Sequence, residues 1–105
     1  MNQLPFVVET EENDKVVCLY LHGDLDLATA PQLREVLLPL AEKEKKEVRV
    51  NLKDLHYMDS TGLGVFVAAL KLRKAINEEI FIEEVPDKIQ RIFQISGVAQ
   101  YLTIA

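Results

Sequence analysis

The chain has 105 residues, of which 49% are apolar and 28% charged, and a formal net charge of −5. That length supplies one layered core and leaves no room for a second, so residues 1–105 are expected to fold as a single domain. With 12 basic residues against 17 acidic ones and no basic stripe, the phosphate-neutralising surface needed for nucleic acid is missing, and anionic membranes are equally poor partners.

Met1-Asn2-Gln3-Leu4-Pro5 shows neither a basic leader nor a long apolar run. No segment reaches the roughly 18 consecutive apolar residues of a membrane span, so a cytoplasmic protein is expected. Phe6 to Glu9 reads as a short strand, Glu11 to Asp14 as a turn, and Lys15 to Leu21 as a β-branched and aromatic run suited to a buried central strand. Cys18 inside that run reads as a small buried thiol with no intramolecular disulfide partner. His22-Gly23-Asp24-Leu25-Asp26 is expected to be a polar loop, followed by Thr29 as a cap and Pro31 in the opening turn of a helix reaching about Glu44. Leu33, Val36, Leu37 and Leu40 give that helix one apolar face, and Pro39 is expected to kink it.

Val48, Val50 and Leu52 alternate with Arg49 and Asn51, the period of a strand with one covered face. A loop from Leu55 to Ser60 is expected next, then a helix over Leu63 to about Ile76 with two apolar stripes. Leu63, Phe66, Val67 and Leu70 form one, and Val65, Ala69, Leu72 and Ile76 the other. Ile80 to Val85 reads as a strand, Pro86-Asp87 opens a third helix with a face of Ile89, Ile92 and Phe93, and Ser96-Gly97 ends it. Tyr101 to Ile104 reads as a strand or a packed tail. The alternation implies an α/β fold, a small mixed β-sheet of four to five strands with helices packed mainly on one face. Right-handed crossovers then bring the loops at Gly23 to Asp26 and Leu55 to Ser60 to the same sheet end, so that Asp24 and Asp26 approach Ser60.

Asp59-Ser60-Thr61-Gly62-Leu63-Gly64 holds a hydroxyl at the first turn of a helix, where a side-chain oxygen can satisfy unpaired N–H groups. A phosphate on Ser60 would add about −1.5 to −2 charge beside those groups and beside Asp59. From the residues alone, simple capping by Ser60 or Thr61 outranks modification. A nucleophilic Ser60 is disfavoured, because Met58 stands where the hydrolase elbow G-x-S-x-G needs its first glycine and neither His22 nor His56 is marked as a base. Gly62 and Gly64 match no phosphate-cradling motif and are better read as letting a partner's backbone come close. Asp24, Asp26 and Asp59 have no metal-ligand spacing.

The run Tyr57-Met58-Asp59-Ser60-Thr61-Gly62-Leu63-Gly64-Val65-Phe66-Val67, with Gly23-Asp24-Leu25-Asp26 and Arg91-Ile92-Phe93-Gln94-Ile95-Ser96-Gly97-Val98, resembles the STAS-domain anti-sigma factor antagonists of bacteria, most nearly those of the general-stress type. The resemblance covers nearly the whole chain. It implies a STAS-like sheet and Ser60 as the phosphoacceptor, with Thr61 the neighbour that is not normally modified. It further implies that the unphosphorylated protein binds an anti-sigma factor that is also a serine kinase, freeing a sigma factor. Phosphorylation of Ser60 then breaks the complex and a separate serine phosphatase restores it.

On that reading Asp24, Asp26, Asp59, Ser60, Thr61, Gly62, Leu63 and Gly64 form the partner-binding surface. The kinase supplies ATP and magnesium, and this chain is a substrate and regulator without cofactor, metal or catalytic residue. Asn77-Glu78-Glu79 replaces the glycines that family members often carry there, and Asp24 replaces a frequent Glu. Two other readings compete: a constitutive scaffold that oligomerises through the second helical stripe, and a small hydrolase using Ser60 with His56 or His22.

Overall fold

In the computed structural model, residues 5–98 and the backbone of 103–104 are described. Val7–Glu12 (β1) and Val16–Leu25 (β2) form the opening hairpin, closed by Asn13, whose side-chain oxygen accepts from the N–H groups of Lys15 (2.8 Å) and Val16 (2.9 Å). Ala30–Lys43 (α1), Glu47–Met58 (β3), Ser60–Ala75 (α2), Ile80–Glu83 (β4), Asp87–Ser96 (α3) and Thr103–Ile104 (β5) follow in strict alternation. The sheet order is β1-β2-β3-β4-β5, with β1 antiparallel to β2 and the remaining pairs parallel.

Because each parallel neighbour is also the next strand in sequence, every crossover of the usual hand places its helix on the same face of the sheet. The core sits there. Leu19, Leu21, Val50, Leu52 and Ile82 meet Leu33 and Leu37 of α1, Val65, Phe66 and Ala69 of α2, and Ile89 and Phe93 of α3. The rings of Phe66 and Phe93 cross edge to face at 5.8 Å. On the uncovered face half-buried polar groups replace apolar ones. Arg49 lies 5.0 Å above the Phe81 ring and pairs with Glu47 and Glu83.

The expected elements are present, and several of their limits move. Residues 22–25 are not a loop: β2 continues through them, with register shifts at Tyr20/His22 and Gly23/Asp24 and a left-handed φ of 93° at Gly23. A polar, glycine-bearing stretch is read locally as a loop, but β3 pairs along it from His22 to Leu25, and β1 reaches His22 from the other side. For the same reason β3 runs on to Met58, so the connection to α2 is Asp59 alone and the helix begins at Ser60. Conversely, β4 stops at Glu83, and Glu84 takes a positive φ of 49°.

The two apolar stripes of α2 are the shoulders of one wide buried face centred on Gly62, Val65, Phe66, Ala69 and Arg73. α1 runs unbroken through the exposed Pro39. α3 ends on Gly97, whose φ of 77° is the left-handed stop that glycine adopts freely. At the chain end Thr103 and Ile104 pair with β4, while Tyr101 and Leu102 fall outside the described residues.

Candidate functional site

The parallel register sets Asp24 against Tyr57 and Leu25 against Met58, so the ends of β2 and β3 finish side by side. Asp59 joins them. Its N–H donates to the Leu25 carbonyl (3.1 Å), its Oδ1 accepts from the Gly62 N–H (2.9 Å), and its Oδ2 accepts from the Leu27 N–H (3.1 Å). Asp59 therefore caps α2 and clamps the β2–α1 turn to it, a geometry in which one carboxylate serves two chain segments. This corrects the expectation that Ser60 or Thr61 would cap.

With the cap supplied by its neighbour, Ser60 is the first residue of α2, is exposed, and its hydroxyl has no hydrogen-bond partner among the described residues. Thr61 and Leu63 are half-buried, and Leu63 packs against the core. The two glycines separate. A Cβ on Gly62 would lie 2.6 Å from Leu25 Cγ and 3.1 Å from its carbonyl oxygen, so this glycine lets α2 approach β2 of its own chain. That overturns its expected role as a spot for a partner's backbone. Gly64 lies one turn beyond Ser60 on the exposed side, with no atom within 4 Å of where its Cβ would be.

Asp26 organises the turn before α1. Its Oδ1 accepts from the N–H groups of Ala28 (3.0 Å) and Thr29 (3.1 Å), and its carbonyl accepts from the Ala30 N–H (2.8 Å). Thr29 is not a side-chain cap as expected: its hydroxyl accepts from the Asp26 N–H (2.9 Å) and donates to the Asp24 carbonyl (2.8 Å). The half-buried Asp24 and Asp26 thus stand at the same sheet end as Ser60.

From His22 to Leu33 and from Asp54 to Leu70, the two segments that build this end, there is no Lys or Arg, while Asp24, Asp26, Asp54 and Asp59 all fall within them. The site is acidic before any modification.

Neither histidine is hydrogen-bonded as a base for Ser60. His22 lies between Glu9, whose carboxylate approaches Nε2 to 2.8 Å without hydrogen-bond geometry, and Asp54, 3.4 Å from Nδ1. His56 is exposed, and among the described residues neither histidine hydrogen-bonds Ser60. Burial raises the pKa of the Cys18 thiol, keeping it protonated at neutral pH. Among the described residues there is no group of three His, Cys, Asp or Glu placed to hold a metal, and no helix long and apolar enough to cross a membrane.

One residue of weight was missed in the sequence. Arg73, expected on neither stripe, is 1% exposed and donates to the carbonyls of Glu79 (2.9 Å), Glu44 (2.6 Å) and Lys46 (3.3 Å) at the opposite end of the sheet. Its position in the register of Gly62, Val65 and Ala69 was the available signal.

A five-stranded sheet with one antiparallel edge, helices on a single face and a helix opening on D-S-T-G at the sheet end defines a class, and the STAS domain family model matches residues 7–105. This chain is a STAS domain. It is 39% identical to the anti-sigma-B factor antagonist of Staphylococcus aureus (strain NCTC 8325 / PS 47) over 97 residues, covering 92% of this chain and 90% of that one. With the anti-sigma-B factor antagonist of Bacillus subtilis (strain 168) it shares 38% identity over 98 residues, covering 93% and 89%. Its fold is similar to that of the anti-sigma factor antagonist SpoIIAA in its unphosphorylated form, with a TM-score of 0.76, 22% identity, and coverage of 96% of this chain and 88% of that one. The phosphorylated form of Bacillus SpoIIAA superposes with a TM-score of 0.72 at 22% identity, covering 96% and 91%.

Proposed function

We propose that this chain is an anti-sigma factor antagonist whose binding is gated by phosphorylation of Ser60. The observation that carries the reading is that Ser60 is exposed and unpartnered at the start of α2, on a helix that Asp59 already caps. A serine required for capping would have to give up a structural bond when modified; this one gives up none. The relatives named as antagonists, at 39% and 38% identity over almost the whole chain, support an antagonist role for this chain.

The unphosphorylated protein docks its Ser60 end on an anti-sigma factor that is also a serine kinase, and the sigma factor is released. Phosphoryl transfer needs the Ser60 oxygen in line with the terminal phosphorus of ATP, so the docked hydroxyl faces the nucleotide's own negative charge. After transfer a dianion stands against what remains of that nucleotide, at a protein surface that is already acidic. Leaving it unpaired there costs several kcal/mol, and about 2.7 kcal/mol already lowers affinity a hundredfold. The complex parts without any change of fold, and a serine phosphatase resets the protein. The chain acts in the cytoplasm as substrate and regulator, with Asp24, Asp59, Thr61, Leu63 and Gly64 around the contact. Asp26 acts through the turn it holds, and Gly62 by seating α2.

The test is mass spectrometry after incubation with the anti-sigma kinase of the host and ATP, which should find phosphate on Ser60. Ser60→Ala should abolish incorporation and keep binding, and Ser60→Asp should weaken binding at least tenfold. Phosphate found only on Thr61 would overturn the assignment. The scaffold alternative loses support, because Val65 and Ala69 of its proposed stripe are buried in the core.

A further inference from the structure

We propose that Leu27 is a preformed apolar anchor that docks into an apolar socket, rimmed by Lys or Arg, on the same anti-sigma kinase that takes Ser60; the proposal rests on that reading of Ser60. Leu27 is 73% exposed. Isolated exposed apolar residues are common and mean nothing alone. What distinguishes this one is how its backbone is held.

Leu27 occupies the second position of the turn Asp26-Leu27-Ala28-Thr29, closed by the Thr29 N–H donating to the Asp26 carbonyl (3.2 Å). Turn chemistry at that position favours proline and tolerates most residues, so nothing local calls for leucine. The turn is over-determined by the Asp26 carboxylate, the Thr29 hydroxyl and the Asp59 carboxylate, the last of which accepts the Leu27 N–H itself at 3.1 Å. Asp59 immediately precedes Ser60, so the knob and the acceptor hydroxyl are fixed to one bracket. A side chain whose backbone is already ordered loses little freedom on docking, and one well-packed anchor of this kind can dominate an interface. The absence of any Lys or Arg from both segments that build this end, against Asp24, Asp26, Asp54 and Asp59, sets the charge of the complementary rim.

The experiment compares binding and phosphorylation by the purified anti-sigma kinase of the host for the wild type, Leu27→Ala, Leu27→Met and Ile95→Ala. Ile95 is 87% exposed at the far end of α3 and serves as the control for losing an exposed apolar group. Leu27→Ala should raise Kd and the KM for Ser60 phosphorylation about tenfold or more, with kcat within twofold and an unchanged thermal midpoint. Leu27→Met should recover most of the loss, and Ile95→Ala should match the wild type. Raising salt from about 0.05 M to about 0.5 M should weaken wild-type binding severalfold.

If wild type is phosphorylated at Ser60 and Leu27→Ala matches it in Kd and KM, the anchor is refuted while the Ser60 reading stands. If Leu27→Ala lowers kcat alone, Leu27 is not a docking group. Salt-independent affinity refutes the cationic rim. If the wild type is neither bound nor phosphorylated at Ser60, the underlying reading itself fails.

Discussion

The two ends of the sheet are each held by one charged side chain, and they differ in what that side chain leaves exposed. At the end where the parallel strands begin, Arg73 is sealed in and gathers the carbonyls of Glu44, Lys46 and Glu79, tying the chain leaving α1 to the chain entering β4. Burial lowers its pKa, yet a guanidinium remains charged at any ordinary pH, so the bracket is permanent. At the other end Asp59 is only half-buried and ties Leu27 to Gly62, while the adjacent Ser60 stays free for solvent. A buried bracket can be stronger because nothing has to reach it. An exposed one must hold its loops still while leaving a neighbour reachable, which suits a docking surface.

Breaking the buried bracket should have the largest effect on stability. Arg73→Met strands the three carbonyls and should cost about 3 kcal/mol, lowering the thermal midpoint by roughly 10 °C or more. Ser60 of the folded fraction should still be phosphorylated at the normal rate. A loss below about 1 kcal/mol would mean that water replaces the guanidinium.

Gly62→Ala comes next. Leu25 is fully buried and cannot yield to a Cβ at 2.6 Å, so about 2 kcal/mol should be lost in urea unfolding. Asp59→Ala should cost about 1 kcal/mol through the lost cap, and partner affinity should fall further than that stability loss requires, because the Leu27 turn is released as well. A binding change that merely tracks stability would separate Asp59 from the docking surface.

The smallest change carries the opposite sign. Gly64→Ala, in open space on an exposed helix, should stabilise the fold by about 0.5 to 1 kcal/mol while weakening the complex, because the added methyl occupies the flat spot beside Ser60. A variant that is both more stable and equally tight would remove Gly64 from the contact.

Much of this was legible beforehand. Alternating Val48, Val50 and Leu52, the helical face of Ile89, Ile92 and Phe93, and the Gly97 stop depend on local periodicity and backbone freedom, which neighbouring residues set among themselves. So did the convergence of Asp24 and Asp26 on the Ser60 end, because short crossovers permit few topologies. Other features depended on partners distant in sequence. Residues 22–25 look like a loop until β3 pairs with them, and Gly62 and Gly64 are indistinguishable until Leu25 is seen against one of them alone. Composition and spacing were enough to settle fold class, the number of layers and the helix that presents Ser60. Which carboxylate caps that helix, which glycine is structural and why Arg73 can be buried were decided by packing, because each depends on atoms brought together only when the sheet is assembled.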